Sequence, residues 1–362
     1  MILVMMSPEC VVVTVRGGDV RKTRVLFACA AAFVLFEAAG PARADEAWTV
    51  DAGSLVLEIT VSSTANLFHA VDQIAQWSEF CHDQYVPYFN PLGLGLSAED
   101  RKALSEHSSL RERKGWGQGL EQTFYTASDL ETALKEGIRA GFITPADADV
   151  ERRVLSRFKA RVDRLMSEQA RTLRGFAKNV MDRRKELESF AGTFGRFVGS
   201  GKMTVPMFLM ANPSENSFGG GFNGGRLTLE IPSRADAYPM MLHELVHAYI
   251  RTKNDAIAAA ASRTAGLNGE TLSEGLAYAY NPGIVHAADS DSLMNTVRDF
   301  MVRGSTLKDS YARFSMYGLA LRKLLEPALS DENQSLETFL PRAVDAWRVL
   351  SELEAARTGG KP

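Results

Sequence analysis

Cysteine is scarce in this chain, with three in 362 residues: Cys10, Cys29 and Cys81. We expect the segment that carries the first two to be removed as a targeting signal, which leaves Cys81 as the single thiol. One thiol closes no internal disulfide, so we expect the packing of apolar side chains to stabilise the fold. No Leu-x-Gly-Cys pattern surrounds Cys29, which argues against a lipid anchor.

The sequence also lacks an excess of positive charge and a long apolar run. The formal net charge is −3 and no long basic run occurs, which argues against nucleic acid or an anionic membrane surface as a partner. The apolar run at residues 25–36 ends at Glu37, and it is shorter than the roughly 20 residues that a bilayer requires. We therefore expect no transmembrane segment in the mature chain.

The N-terminus carries the pattern of a secretory signal. Residues 21–24 are Arg-Lys-Thr-Arg, residues 25–36 are apolar, and Ala-Arg-Ala at 42–44 is a small-residue cleavage pattern before Asp45. Residues 1–44 are thus predicted to be a signal peptide, and the mature protein to be exported to the periplasm or secreted. An uncleaved anchor is the alternative. Residues 1–19 precede the basic segment, and we interpret them as an extension upstream of the true start.

Residues 45–200 are predicted to form one strand followed by helices. Residues 54–62 alternate in part between apolar and polar side chains, as a strand does, and residues 64–81 have apolar side chains at helical spacing. Further helices are predicted from Ser97, at residues 129–139, and from Thr144-Pro145 to about residue 196 with a break. The arginines here alternate with acidic residues, which favours a solvated helix face over a polyanion site.

Residues 201–362 are predicted to combine a small sheet with helices. Strands are expected at 204–210 and 226–231, on either side of a glycine-rich stretch at 218–225. That stretch leads into a strand and not into a helix, so we interpret it as bare backbone that another chain can approach, and not as a phosphate loop. Helical patterns follow from Ser233 or Asp236 to just before Lys253, then at about 269–280, 290–302, 307–325 and 335–353. The predicted fold class is α+β, predominantly helical.

An HExxH motif, formed by His243, Glu244 and His247, lies in a stretch that is otherwise uncharged from residue 240 to 249. Two histidines four residues apart on a helix lie on one face, so both imidazoles can bind one Zn²⁺ ion. Zinc lowers the pKa of a bound water molecule to about 7, and the glutamate can then take its proton. The competing interpretation is a pair of structural histidines beside a glutamate.

A catalytic zinc usually has three protein ligands, so a third is required. The metzincin arrangement is excluded, because Ile250 and Lys253 occupy the positions of its glycine and its third histidine. A later predicted helix, with the sequence Leu-Ser-Glu-Gly-Leu-Ala, offers Glu274 as the first choice. Glu270 and His286 are the alternatives.

Glu270, Glu274 and Tyr278 share one face of that predicted helix, at positions i, i+4 and i+8. If Glu274 binds the metal, the other two are candidates for orienting the metal ligands from outside.

HExxH followed by Ser-Glu-Gly-Leu-Ala resembles the gluzincin metallopeptidases, in which a glutamate on a second helix completes the zinc site. The resemblance covers roughly residues 204–325, and the mature chain is similar to uncharacterised secreted bacterial proteins of this type. It implies a zincin-like catalytic domain at 201–362, with a small mixed sheet and the HExxH helix, preceded by the helical region at 45–200. It also implies an edge strand that binds extended substrates, which assigns Gly221, Phe222 and Asn223 to substrate binding.

The chain departs from two gluzincin patterns. Thermolysin-like enzymes carry an aspartate four residues after the third ligand, where this chain has Tyr278. Aminopeptidase-like enzymes carry a tyrosine three residues before a glycine on a later helix, and here the phenols nearest Gly318 are Tyr317 and Tyr311. We assign the oxyanion donor to Tyr317, with His286 as the alternative; a packed aromatic side chain is the competing interpretation. No Gly-Ala-Met-Glu-Asn type of sequence is present, so an endopeptidase is favoured over an aminopeptidase.

The sequence therefore predicts zinc-dependent hydrolysis of a peptide or protein substrate. His243, His247 and Glu274 bind Zn²⁺, and Glu244 acts as general base and then as proton donor to the leaving amine. One alternative is a catalytically inactive, zinc-containing peptide-binding or envelope scaffold protein. Another is that the helices at 64–198 form the functional module and bind envelope partners.

The signal peptide prediction is tested by N-terminal sequencing of the exported product. We expect the mature protein to begin at or close to Asp45, because the Ala-x-Ala pattern ends at Ala44. A product that begins well before or after that residue contradicts the prediction.

Overall fold

Five strands form one mixed sheet in the part of the chain that the computed structural model describes, which is residues 45–89, 95–117, 119–217, 219–285 and 306–359. The strands are β1 (Glu46–Ala52), β2 (Leu55–Val61), β3 (Met203–Ala211), β4 (Gly220–Asn223) and β5 (Arg226–Ile231). Their order is β1-β2-β3-β5-β4. The β2/β3 and β3/β5 pairs are parallel, and the two outer pairs are antiparallel. Strand β4 therefore lies at an edge of the sheet.

Helices account for most of the described chain. In chain order they are α1 (Ser63–Ala75), α2 (Tyr85–Phe89), α3 (Ala98–Lys114), α4 (Gly119–Thr126), α5 (Leu130–Arg139), α6 (Pro145–Asp182), α7 (Arg184–Val198), α8 (Tyr238–Ile250), α9 (Asn254–Ala261), α10 (Gly269–Tyr278), α11 (Ser310–Ser330) and α12 (Leu336–Thr358). A 3₁₀ turn (Arg251–Lys253) follows α8, and a π-helical segment (Ala279–Ile284) follows α10. The prediction of a predominantly helical α+β fold is confirmed. None of the described helices has both the length and the apolar composition needed to cross a membrane.

Most predicted elements lie where the patterns indicate. The capping boxes at Ser97 and Thr144 are formed, and the long helix breaks at Arg183, between α6 and α7. One predicted helix is too long, and one strand was missed. Helix α1 ends at Ala75 and not near residue 81, because Gln76 adopts a left-handed conformation (φ 49°). The side-chain amide of Gln76 donates to the carbonyl of His82 at 3.2 Å. Strand β1 was not predicted.

The helix that carries the HExxH motif also begins later than predicted. It starts at Tyr238, and neither Ser233 nor Asp236 lies within it; the Asp236 carboxylate instead accepts from the Tyr238 amide at 3.0 Å, ahead of the helix. The signal peptide, the predicted helix at 290–302 and His286 lie outside the described residues.

The predicted boundary near residue 200 falls inside the sheet. Strand β2, from the first predicted region, pairs along its length with β3 from the second, and Met207 of β3 continues the ladder to Leu227 of β5. The described residues from Asp45 onward belong to one compact unit. The sheet therefore joins the N-terminal helices to the region that carries the HExxH motif.

Helices cover both faces of the sheet near its β4 edge. Cross-strand partners point to the same face, so Gly221 and Thr228 share a face with Glu230, while Gly220 and Leu229 share the opposite one. Glu230 contacts His69 of α1 on the first face. On the second face, helix α8 packs against β4 and β5. The edge strand therefore separates an α1 side from an α8 side.

A buried network of charges fixes the α1 side. His107 of α3 lies between Asp72 of α1, at 2.8 Å from Nε2, and Glu151 of α6, at 2.9 Å from Nδ1. Arg111 of α3 contacts Asp72 and also Glu121 of α4. All five of these side chains are buried. Because buried charges are stable only when paired, the network constrains how α1, α3, α4 and α6 pack together.

We predict that stability falls as the pH rises from about 6.5 to about 9. Burial lowers the pKa of His107, but the carboxylates of Glu151 and Asp72 outweigh burial and raise it to about 9. Its folded pKa thus exceeds its unfolded value near 6.5, so protonated His107 stabilises the fold fully below pH 6.5, and this contribution disappears as the pH passes 9. The loss should be on the order of 2–3 kcal/mol in the free energy of unfolding.

Chemical denaturation at pH 6, 7.5 and 9 measures this loss, and a His107→Gln variant should lack most of the pH dependence. A wild-type protein whose unfolding free energy stays constant from pH 6.5 to 9 contradicts the prediction.

Candidate metal centre

Helix α8 places His243 and His247 on one face, one turn apart. Their Nε2 atoms lie 3.3 Å from each other. His243 is buried and His247 is half-buried, because the neighbouring positions of this helix are apolar and lie in the core. The local sequence therefore forms a helix that presents two imidazole nitrogens toward one point.

Helix α10 brings Glu274 to the same point. Its carboxylate oxygens lie 3.5 Å from Nε2 of His243 and 3.4 Å from Nε2 of His247. The helix begins at the N-cap Asn268, whose side chain accepts from the Thr271 amide, and it packs against α8. Burial acts to raise the pKa of Glu274, but the two imidazoles outweigh burial and hold that pKa below its usual range.

The spacing of these three donors fits a tetrahedral metal ion. Zinc–nitrogen and zinc–oxygen distances of about 2.0–2.2 Å imply donor–donor separations of about 3.3–3.6 Å at tetrahedral angles, and the observed separations are 3.3, 3.4 and 3.5 Å. Two imidazoles and one carboxylate are also a common ligand set for a catalytic zinc. Within the described residues, this is the group of three that could hold a metal ion.

The outer ring nitrogens of both histidines have partners that orient the imidazoles. Nδ1 of His243 lies 3.2 Å from the carbonyl oxygen of Asn281, and Nδ1 of His247 lies 3.0 Å from the hydroxyl of Ser273. A carbonyl only accepts, so a neutral His243 carries its proton on Nδ1 and leaves the Nε2 lone pair facing the centre. Such partners commonly fix the orientation of metal-binding histidines.

Glu244 lies beside the centre and is buried. Burial raises its pKa to about 7; the carboxylate of Glu274 adds to this effect, while His243 and the amide of Phe222 oppose it. A cation between the imidazoles would lower this pKa again, because it favours the charged carboxylate. The backbone of β4 passes close above: a Cβ atom added to Gly220 would lie 3.1 Å from Cγ of Glu244.

The centre opens into a cleft of about 630 Å³ that runs along both sides of β4. Glu244, His247 and Glu274 line its α8 side, and the predicted substrate-binding residues Gly221, Phe222 and Asn223 line its middle. The opposite wall comes from the N-terminal helical region and consists of His69, Gln73, Phe80, His82, Trp116, Gly117, Glu121 and Tyr125. The cleft is therefore shaped by both parts of the chain.

The far wall contains a second polar group that the sequence did not indicate. The buried carboxylate of Glu230 contacts Nε2 of His69 at 2.8 Å, Nδ1 of His82 at 3.0 Å and the amide of Gln84 at 2.9 Å. Burial acts to raise the pKa of Glu230, but the histidines outweigh it and lower that pKa to about 2. His69 and Glu230 are 161 positions apart in sequence, so no local pattern could have joined them.

Tyr317 is not at the centre, and its assignment as oxyanion donor is corrected. Its hydroxyl donates to the carbonyl of Ala343 at 2.7 Å, and its side chain is fully buried against Trp347. Tyr317 is therefore a packed aromatic side chain of the core, which was the competing interpretation. The exposed Tyr311 lies near Tyr278, with ring centroids 6.3 Å apart.

The two residues predicted to support the ligands lie in different places. The ring of Tyr278 meets the ring of His243 edge-on, with centroids 4.9 Å apart, so it contacts one of the three candidate metal ligands. Glu270 is exposed and lines the cleft, but it does not belong to the three-donor group. Ser273 and Asn281 make the orienting contacts instead. Of these two, Ser273 could have been suspected from the sequence, because it is the neighbour of Glu274.

We predict that Glu274→Gln lowers zinc affinity by more than about 100-fold. Loss of a partner outside the ligand shell already costs about 10- to 100-fold, and loss of a ligand itself should cost more. Glu270→Gln is the matched control, since the two glutamates lie one turn apart on α10. Competition with a chromophoric chelator measures the affinities. Equal affinities for the wild type and Glu274→Gln, or a larger loss in Glu270→Gln, would refute the ligand assignment.

Comparison of the chain with protein-family models, with curated proteins and with solved structures finds no match. What the centre can do is therefore inferred from its own residues and their geometry.

Proposed function

We propose that this protein is an exported, zinc-dependent peptidase with a zincin-like catalytic half. The main support is the meeting of His243, His247 and Glu274 at tetrahedral spacing on the floor of a cleft that an edge strand borders. When bound, a zinc ion supplies Lewis-acid activation of water and of the scissile carbonyl group. The remaining steps depend on the side chains and backbone of this chain.

The free edge of β4 suits the binding of an extended peptide. Glu230 donates its amide hydrogen to the carbonyl of Gly219, so residues 219, 221 and 223 direct their peptide groups toward β5 by the alternation of an antiparallel ladder. Gly220 and Phe222 then direct theirs toward the open edge, where the Phe222 amide also faces the carboxylate of Glu244. A peptide that adds to this edge binds through main-chain hydrogen bonds, and the missing side chain of Gly220 lets it approach Glu244 closely.

Glu244 is the proton carrier in this proposal. Glu244 follows His243 in sequence, and its side chain lies against Gly220 of β4. The carbonyl of a peptide bound along β4 would therefore lie near it. Glu244 accepts a proton from the attacking water molecule and passes it to the nitrogen of the departing amine. Burial in a cleft wall keeps the carboxylate away from bulk solvent, which strengthens its interaction with the reacting groups.

The rival function is a zinc-containing peptide-binding or scaffold protein without turnover. The position of Tyr317 favours it, because the residue assigned to stabilise the oxyanion is committed to the core. By contrast, the α1 wall argues against the view that the N-terminal helices act alone, since they and the HExxH region line the same cleft.

We predict that Glu244→Gln abolishes hydrolysis and retains zinc. Glutamine has the size of glutamate but takes up no proton, so kcat/KM should fall at least about 100-fold. The measurement is digestion of a peptide library by purified mature protein, with and without a chelator, alongside metal analysis. Glu326→Gln, an exposed change on α11, is the control. Full activity in Glu244→Gln would contradict the mechanism, and zinc and peptide binding without any wild-type cleavage would establish the rival.

A further inference from the structure

Arg251 marks one end of the cleft on the α8 side. It immediately follows α8, one turn beyond His247, and it lines the cleft together with Asn254 and Glu270. Its guanidinium carbon lies 5.9 Å from the ring centroid of Phe222 in β4. The position after the HExxH helix is therefore occupied by a cation that faces the same space as the metal centre.

The turn between β4 and β5 provides the space for this guanidinium. Gly225 has a φ of 85°, and a Cβ atom added there would lie 2.6 Å from Nη1 of Arg251. A side chain at residue 225 would thus both strain the backbone and displace the arginine. The glycine-rich turn and the arginine fit each other at the open edge of the sheet.

Arg251 differs in its partners from two buried arginines near the cleft, Arg111 and Arg226. Arg111 and Arg226 each contact the carboxylate of Glu121, within a network of buried, paired charges. Among the described residues no ion pair involves Arg251, and Glu270, which lines the same cleft, is not paired with it. A guanidinium has five donors in a planar fork that matches a carboxylate. The cleft thus presents an exposed cation that is open to a ligand.

The distance from the reacting groups can be expressed in residues of substrate. Glu244 and Arg251 are seven residues apart along consecutive helical turns, which corresponds to roughly 10 Å. An extended peptide advances about 3.3 Å per residue, so 10 Å is about three residues. A group bound by Arg251 would therefore belong to a substrate residue about three positions from the scissile bond.

We propose that Arg251 binds a carboxylate of the substrate, about three residues from the scissile bond, and that the preferred substrates are acidic peptides. This inference rests on the proposed peptidase function, because the site is the same cleft. The carboxylate can come from an aspartate or glutamate side chain or from the C-terminus of a short peptide. Both sources present the same planar anion to the guanidinium fork.

The experiment measures charge preference by cleavage and by binding. Starting from a peptide that the library digest identifies, glutamate and glutamine are exchanged at each of four positions on both sides of the scissile bond, and the C-terminus is made free or amidated. Cleavage by the zinc-loaded full chain gives kcat/KM, and fluorescence anisotropy with the Glu244→Gln protein gives affinity without turnover. Variants are Arg251→Gln, Arg251→Lys and, as the control, Arg263→Gln, which changes an exposed arginine that does not line the cleft.

We expect the wild type to favour the charged peptide by about fivefold at a position about three residues from the scissile bond, as suits a partly exposed charge pair. The ratio should fall toward one in Arg251→Gln and at high salt, take an intermediate value in Arg251→Lys, and remain in Arg263→Gln. A preference confined to the glutamate–glutamine pairs identifies a side-chain carboxylate. A preference confined to the free C-terminus identifies the terminal carboxylate.

The failures of the two proposals are distinguishable. Cleavage without any charge preference, or a preference that persists in Arg251→Gln, overturns the role of Arg251 and leaves the peptidase intact. A charge preference in binding that depends on Arg251, together with no cleavage of any peptide, supports Arg251 and overturns the peptidase. If no peptide is bound or cleaved, both are overturned.

Discussion

The contact between α8 and α10 is the constraint on which the rest of the site depends. It brings two imidazoles and a carboxylate within 3.5 Å of one another, largely out of solvent. Groups with unshared electron pairs repel at such distances unless a cation or a proton lies between them. Asn281 and Ser273 contact the outer nitrogens of the two rings and hold them in this orientation. Close grouping of three such donors, with both rings oriented from behind, is typical of a functional site.

Helix α10 is held against α8 by the residue first assigned to catalysis. A Cβ atom added to Gly275 would lie 2.4 Å from the ring of Tyr317, so the ring occupies the space beside Glu274 that a side chain would otherwise fill. The hydroxyl of Tyr317 in turn donates to Ala343 of α12. Tyr317 thus connects α10 to α11 and α12 and fixes the position from which Glu274 reaches the two histidines. Tyr317 therefore contributes to the site by supporting the position of α10.

The parts of the site that could be predicted from the sequence are those that local spacing determines. His243, Glu244 and His247 lie within one helical turn of each other, so the helix alone sets their relative positions. Glu274 required a further assumption, that a second helix carries the third ligand. The wall formed by His69 and Glu230 could not be predicted, because its residues meet only after β5 pairs with β3 and α1 packs on the sheet.

The fold shows the same division between local and long-range information. A capping box identified the start of α3 and Thr144-Pro145 identified the start of α6, because each signal is complete within four residues. Strand β1 does carry an apolar alternation, at Trp48, Val50 and Ala52, which the predicted strand at 54–62 does not include. The boundary near residue 200 was placed where composition changes. Composition does not reveal that β2 and β3 are neighbours in one sheet.

The charged side chains on the two sides of β4 differ in whether they are paired. On the α1 side, the charges of Asp72, Arg111 and Glu121 are paired and buried, so they constrain the packing of the helices and are not available to a ligand. On the α8 side, Glu244 and Arg251 face the cleft without an ion-pair partner among the described residues. A peptide at the free edge of β4 would lie between these two walls. Under the proposed function, it would meet Glu244 and Arg251 on one side and paired, buried charges on the other.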